Sequence, residues 1–148
     1  MGSGKFFCVA LLILAGALAL SACSSGWQDF AGFQQRTKQA ITPEALRAWA
    51  DPILQGQNPK YPARSDKLLP IETKDLPPEL DKIENFPPEQ AFLTQTDTPG
   101  HMEIVILWGS GFGHWGLEIG NKVFTGSSTD SVTNVRWSDG IYFFIETK

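Results

Sequence analysis

The chain has almost no cysteine, no surplus of positive charge and no apolar run of full membrane-spanning length. Its 148 residues include two cysteines and two histidines, so thiolate or histidine-rich metal sites have few candidate ligands. The long apolar run at residues 6–20 contains 15 residues, whereas a membrane-spanning helix needs about 20. That length is typical of the hydrophobic region of a secretory signal.

The charge balance is acidic, with 12 basic and 16 acidic residues and a formal net charge of −4. Binding to nucleic acid depends on lysine and arginine side chains that displace counterions from phosphates, so this composition disfavours a nucleic-acid partner. An anionic lipid surface would not attract the chain either. Membrane attachment would therefore have to come from covalently attached acyl chains.

Residues 1–22 have the order of parts found in a secretory signal. Lys5 gives a positive start, the apolar run follows, and small residues precede Cys23. The tetrapeptide Leu20-Ser21-Ala22-Cys23 resembles the lipobox of bacterial lipoproteins. The resemblance implies that signal peptidase II cuts before Cys23, whose sulfur receives a diacylglyceryl group and whose new amine is acylated.

The same resemblance implies an address for the mature chain. Acylated Cys23 would hold the protein at a lipid bilayer of the cell envelope, with residues 23–26 as a lipidated tether. Ser24 is not the aspartate that retains lipoproteins at the inner membrane in this family, which implies the outer membrane where there are two membranes. Removing Lys5 with the signal leaves 11 basic and 16 acidic residues, a net charge of −5.

The mature chain would have no thiol for disulfides, metal binding or nucleophilic chemistry. Cys8 lies within residues 1–22, and Cys23 would be consumed by lipid. An exported domain without disulfides depends on its hydrophobic core. A chain of about 120 residues is long enough to build one, so residues 27–148 are predicted to form a single domain.

The pattern along that domain predicts helices first and a sheet last. Residues 27–58 are predicted to be helical, with Thr42 as a cap, Pro43 in the first turn, and Pro52 ending or kinking the second helix near Asp51. Residues 59–100 hold most of the prolines and are predicted to be an extended acidic connector with one helical turn near 79–83.

Residues 101–148 alternate strand-forming runs with glycine turns, which predicts an antiparallel sheet. One of the predicted strands covers residues 122–125. The predicted fold class is α+β, in which N-terminal helices and the proline-rich connector pack on a small antiparallel β-meander.

The glycine-rich segment 109–113 invites a comparison with phosphate-binding loops, but a strand rather than a helix is predicted to follow it, which favours a hairpin loop. Residues 113–120 are similar to the histidine strand of NlpC/P60 and lecithin-retinol-acyltransferase-type proteins. There the histidine pairs with a cysteine thiolate, which the mature chain lacks, so the likeness implies a related sheet and not that activity. Aromatic and polar residues in and beside the loop form a candidate binding surface: Trp108, Ser110, Phe112, His114, Trp115 and Glu118.

The sequence predicts no cofactor and no metal site, since the two histidines lack the close spacing of a ligand pair. The first functional expectation is a non-enzymatic lipoprotein that binds an envelope protein or glycan or has a structural role. One alternative is a small envelope hydrolase that uses Glu103, Glu118 or His114 as acid and base. The other is an inhibitor or immunity-type protein whose acidic stretch, residues 66–103, meets a basic enzyme.

Overall fold

The structure, a computed structural model, describes residues 29–62, 68–96, 98, 100–109, 113–127 and 129–146. The chain divides into two compact units, Met1–Gly32 and Phe33–Lys148. Only residues 29–32 of the first unit are described, and they belong to a helix. The predicted signal segment and Cys23 lie outside the described residues, so both stay predictions.

In the part of the chain from residue 29 onward that the structure describes, two helices precede the sheet, as the sequence predicts. The first, α1, covers residues 29–40, and the second, α2, covers Pro43–Leu54. The start of α2 is confirmed in detail, because the Thr42 hydroxyl accepts a hydrogen bond from the Ala45 amide at 3.2 Å and Pro43 occupies the first turn.

Of the two predicted effects of Pro52, an end of α2 near Asp51 is wrong, since the helix continues to Leu54, and a kink there stays a prediction. Pro52 lies in the last turn, where its missing amide removes one hydrogen bond and leaves the others intact. The Gln55 amide still bonds the carbonyl of Asp51 at 2.9 Å.

Within the described ranges, six antiparallel strands form one sheet in the order β1-β2-β3-β4-β6-β5, which confirms the α+β class. Strands β1 to β4 lie side by side in chain order, and β6 lies between β4 and β5. The strand predicted at residues 122–125 is wrong, because those residues form a turn and coil. The strands are β1 Leu69–Pro70, β2 Gln90–Gln95, β3 Met102–Trp108, β4 Trp115–Gly120, β5 Val132–Ser138 and β6 Ile141–Glu146.

The proline-rich segment contributes more regular structure than its composition suggests. It supplies β1 and β2, which pair with each other, and β2 also pairs with β3. Two short 3-10 helices, Thr73–Asp75 and Pro78–Lys82, lie between β1 and β2, and the second lies where one helical turn is predicted. Strand hydrogen bonding thus continues into a segment that the sequence analysis treats as a connector.

The sheet has an inner face toward the helices and an outer face. Phe33 of α1 contacts two inner-face rings, with centroids 5.1 Å from Trp108 and 6.0 Å from Phe143, and α2 turns Leu46, Ala50 and Ile53 inward. Burial of these apolar side chains is the main stabilising contribution to the fold. Inner-face residues buried with them include Ile104, Ile106, Leu117, Ile119, Ile141 and Ile145.

Strand pairing also defines two ends of the sheet. At the loop end, β3 finishes at Trp108 opposite Trp115, and Trp115 lies opposite Ile145. At the turn end, β4 finishes at Gly120, where the Arg47 guanidinium of α2 donates to the carbonyls of Gly120 and Asp139. Arg47 therefore binds α2 to the turn end of the sheet, and these two hydrogen bonds do not reach the loop end.

Candidate functional site

The candidate binding residues do not all lie on one surface. Trp108 is fully buried and packs against Phe33 in the core, because its position on β3 faces inward. Trp115 lies beside Gly109 and is partly exposed. The sequence analysis expects Trp108 at a binding surface, and the structure buries its side chain between the sheet and α1. Ser110 and Phe112 lie outside the described residues and stay predictions.

His114 is at the loop end and forms a pair with Glu146. Its Nδ1 is 3.0 Å from Oε2 of Glu146, and the two side chains are 39% and 43% exposed. The Glu146 amide also donates to the carbonyl of His114 at 2.8 Å, so the last residue of β6 fixes the histidine from two directions. The sequence analysis missed Glu146, because the pairing of β4 with β6 brings together residues far apart in the chain.

An apolar cavity of about 470 Å³ opens at the same end of the sheet. Phe86 is 42% exposed, and the Glu89 amide bonds the carbonyl of Leu107 at 2.8 Å, which holds this wall against β3. Gly109 has a φ of +92°, and a Cβ there would come within 2.9 Å of the Gly113 carbonyl oxygen, so glycine is required. Among the described residues, those that line the cavity are Phe86, Pro87, Pro88, Glu89 and Gly109.

The sequence analysis did not include this cavity among its candidates. Its walls combine the start of β2 with the end of β3, and residues 86–89 read as part of a proline-rich connector. The sequence feature that could have indicated the cavity is Phe86, an aromatic residue between Asn85 and two prolines. Single exposed apolar residues are common on protein surfaces, so that signal is weak on its own.

Glu103 and Glu118 lie on the outer face of the sheet, and both are buried, with 7% and 5% exposure. The Ser127 amide donates to Oε2 of Glu118 at 2.9 Å, and the Ser127 hydroxyl donates to Oε2 of Glu103 at 3.4 Å. Asn134 Nδ2 also donates to Glu118 Oε2 at 3.3 Å. Glu118 is expected from the sequence at the binding surface, and the structure instead buries it in this hydrogen-bonded cluster.

The segment that covers these carboxylates is residues 121–127, here named the strap. Phe124 lies directly on Gly120, where any Cβ would overlap its ring, and it meets Tyr142 edge-on at 5.8 Å between centroids. Burial under the strap raises the pKa of Glu118, while the hydrogen bonds from Ser127 and Asn134 act in the opposite direction. The two carboxylates therefore face protein groups and not an open cleft.

The second histidine lies at the opposite end of the sheet from His114. His101 precedes β3, and its Nδ1 is 3.0 Å from Nδ2 of Asn121. Within the described part of the chain, no group of three or more His, Cys, Asp or Glu side chains is arranged to hold a metal ion. Likewise, none of the helices in the described ranges is long and apolar enough to cross a membrane.

Comparison of this chain with protein-family models, with curated proteins and with solved structures found no match.

Proposed function

We propose that the protein is a lipid-anchored, non-catalytic module of the bacterial cell envelope that binds a neutral envelope glycan at its loop end. The observation that carries the proposal is that the buried carboxylates and the open cavity lie on different parts of the sheet. The carboxylates suited to acid–base chemistry are used to hold the strap on the outer face. The open apolar cavity lies elsewhere, at the loop end.

The hydrolase alternative requires an acid and a base that both reach substrate. Glu103 and Glu118 are less than a tenth exposed, and both accept hydrogen bonds from Ser127. A substrate would have to displace the strap before it met either carboxylate. His114 is half exposed but pairs with Glu146 at the loop end, so it does not join the two buried acids in one site.

The inhibitor alternative requires an unpaired acidic surface. In the described part of the 66–103 stretch, Glu72 bonds Lys60 at 2.9 Å and also pairs with Lys74, and Asp75 pairs with Lys60. These hydrogen bonds hold the pKa of Glu72 and of Asp75 below their usual values. Part of the acidic charge of this stretch is therefore matched within the chain, which weakens the electrostatic case for a basic partner.

The loop-end cavity has the chemistry of a sugar site. The phenyl ring of Phe86 and two prolines form an apolar wall that suits the C–H face of a sugar ring. The Glu89 carboxylate accepts hydrogen bonds and donates none, which matches hydroxyl groups. A volume of about 470 Å³ lies within the usual range for small-ligand sites. The net negative charge of the mature chain favours a neutral sugar over an anionic polymer.

Phe86→Ala should weaken retention of the protein on purified cell-wall glycan by about tenfold, because it removes the aromatic ring from the apolar wall. The measurement is a co-sedimentation titration with the insoluble glycan. Val123→Ala is the matched control, since Val123 is 73% exposed in the turn at the opposite end. Equal retention of the two variants, or no retention of the wild type, would contradict the glycan proposal.

Cys23→Ala should abolish acylation and the membrane attachment that depends on it, because the sulfur of Cys23 is the proposed site of the diacylglyceryl group. Expressed in bacteria, the wild-type chain should begin at Cys23, carry acyl mass and move into the detergent phase. The variant should lack acyl mass and stay in the aqueous phase once released from cells. Intact mass and phase partition measure both. An unmodified wild type that retains residues 1–22 would sink the lipoprotein assignment.

A further inference from the structure

A second cavity, of about 360 Å³, lies at the turn end of the sheet, and neither the lipid anchor nor the glycan proposal uses it. Asp51 and Leu54 of α2 contribute to its lining. The chain just before β3 adds His101 and Met102, and the chain just after β4 adds Lys122. The volume of this cavity and its mixture of apolar and polar side chains are those of a small-ligand site.

Hydrogen bonds at the cavity determine which ring nitrogen of His101 is free. Oδ1 of Asn121 accepts from the Val123 amide at 3.1 Å, so the donor end of that side chain, Nδ2, is the atom that lies 3.0 Å from His101 Nδ1. Nδ1 of His101 must therefore accept, and the ring hydrogen is on Nε2. Among the described residues Nε2 has no partner, which leaves it free to donate to a ligand.

Two further side chains of the cavity have donors that are not used within the described part of the chain. Oε1 of Gln55 accepts from Gln57 Nε2 at 2.9 Å, so the Nε2 group of Gln55 is left to donate. Lys122 is exposed, and its ammonium group forms no ion pair with a described residue. Gln55, His101 and Lys122 come from three parts of the chain, and all three line one cavity.

Among the described lining residues, Asp51 is the one acid, and Arg47 neutralises it. Nη1 of Arg47 lies 3.2 Å from Oδ1 of Asp51. The same guanidinium donates to the carbonyls of Gly120 and Asp139, which hold it beside Asp51. Lys122 is therefore the unmatched charge of the lining. One unmatched positive charge with neutral donors around it suits an anion, because hydrogen bonds to a charged acceptor are the stronger ones.

The rest of the lining favours a carboxylate with a short apolar group. Leu54 and Met102 are apolar, and Met102 is only 8% exposed, so the two side chains offer contact to an apolar part of the ligand. A carboxylate has a single negative charge, which Lys122 matches. A phosphate group has about 1.5 to 2 negative charges at neutral pH, and Asp51 would repel the excess.

We propose that the turn-end cavity is a second binding site, which holds the carboxylate of a small apolar acid, either free or at the end of a peptide. Lys122, His101 and Gln55 donate to the carboxylate oxygens. Leu54 and Met102 contact the apolar group. The cavity lies at the opposite end of the sheet from the loop-end cavity, so this site is independent of glycan binding.

Titration of the full chain with N-acetyl-leucine, followed by NMR of the isotope-labelled protein, tests the proposal. The wild type should bind this acid about tenfold more tightly than N-acetyl-leucinamide, which has the same shape and no charge. Lys122→Gln should weaken binding of the acid by about tenfold, because it removes the charge and keeps a donor. Lys82→Gln is the matched control, at an exposed lysine of the second 3-10 helix, and should bind as the wild type does.

Three results would overturn the proposal: no binding of N-acetyl-leucine by the wild type, equal affinity for its amide, or equal affinity of the two lysine variants for the acid. Tighter binding of inorganic phosphate than of N-acetyl-leucine would also contradict the choice of a carboxylate. Isovalerate distinguishes the two sources of the carboxylate, since it lacks the peptide group. Weaker binding of isovalerate than of N-acetyl-leucine supports the end of a peptide, and equal binding supports a free acid.

Discussion

Gly116→Ala should be among the most damaging single substitutions in this protein, with an expected loss of about 3 kcal/mol in the free energy of unfolding. A Cβ at Gly116 would overlap the backbone carbonyl of Ile106 and lie 2.9 Å from the ring of Phe144. The first clash is with backbone in the neighbouring strand, so no side-chain rotation relieves it. The β3–β4 pair would have to separate locally, and it lies in the middle of the sheet. Urea unfolding followed by tryptophan fluorescence measures the loss.

Gly113→Ala is the matched control, because a Cβ there would have no atom within 4 Å. The substitution is chemically identical, lies three residues away and avoids the contact with Ile106. We expect a change of about 0.5 kcal/mol or less in the free energy of unfolding. Similar losses in the two variants would show that the close approach of β3 to Gly116 does not determine stability.

Gly116 shows where sequence patterns help and where they stop. The alternation in β4 predicts that His114, Gly116 and Glu118 share a face, and the strand register supports it. From the sequence alone, a glycine inside a strand is expected to weaken that strand. Only the pairing of β3 with β4 shows that the missing side chain makes room for the neighbouring backbone.

Local signals succeeded where the relevant contacts are local. The start of α2 follows from a cap and a proline that act within four residues, and β3 and β6 follow from runs of apolar residues. The end of α2 was less predictable, because a proline in the last turn costs little. Strand pairing of the proline-rich segment depends on β3, which lies later in the chain.

The candidate site depended on distant contacts, and the sequence analysis predicted it only in part. It named Glu103 and Glu118 only as a possible acid and base of a hydrolase, and the structure places them on the adjacent strands β3 and β4. It could not find Ser127 or Glu146, whose roles arise from how the strap folds back and from β6 lying next to β4. The aromatic residues were ambiguous because period-two alternation gives two faces and does not say which one the helices cover.

Trp108 is the clearest case of that ambiguity, because its strand position could face either the helices or solvent. We expect Trp108→Ala to lower the free energy of unfolding by about 3–5 kcal/mol. Its side chain is completely buried and contacts Phe33 of α1, so truncation leaves a large cavity between helix and sheet. Among the described residues, its indole Nε1 has no hydrogen-bond partner. Trp108→Phe should therefore cost clearly less, because it keeps an aromatic ring and breaks no hydrogen bond to a described residue.

Phe86→Ala separates the two roles that aromatic residues play near the loop end. Phe86 is 42% exposed, so its truncation should change the free energy of unfolding by about 1 kcal/mol or less while weakening glycan retention. Trp108→Ala, measured at a temperature where it stays folded, should retain glycan as the wild type does. Reduced retention by Trp108→Ala at a temperature where the variant is fully folded would instead make Trp108 part of the binding surface. Together, the two variants decide whether glycan binding at the loop end depends on the exposed ring of Phe86 or on the buried ring of Trp108.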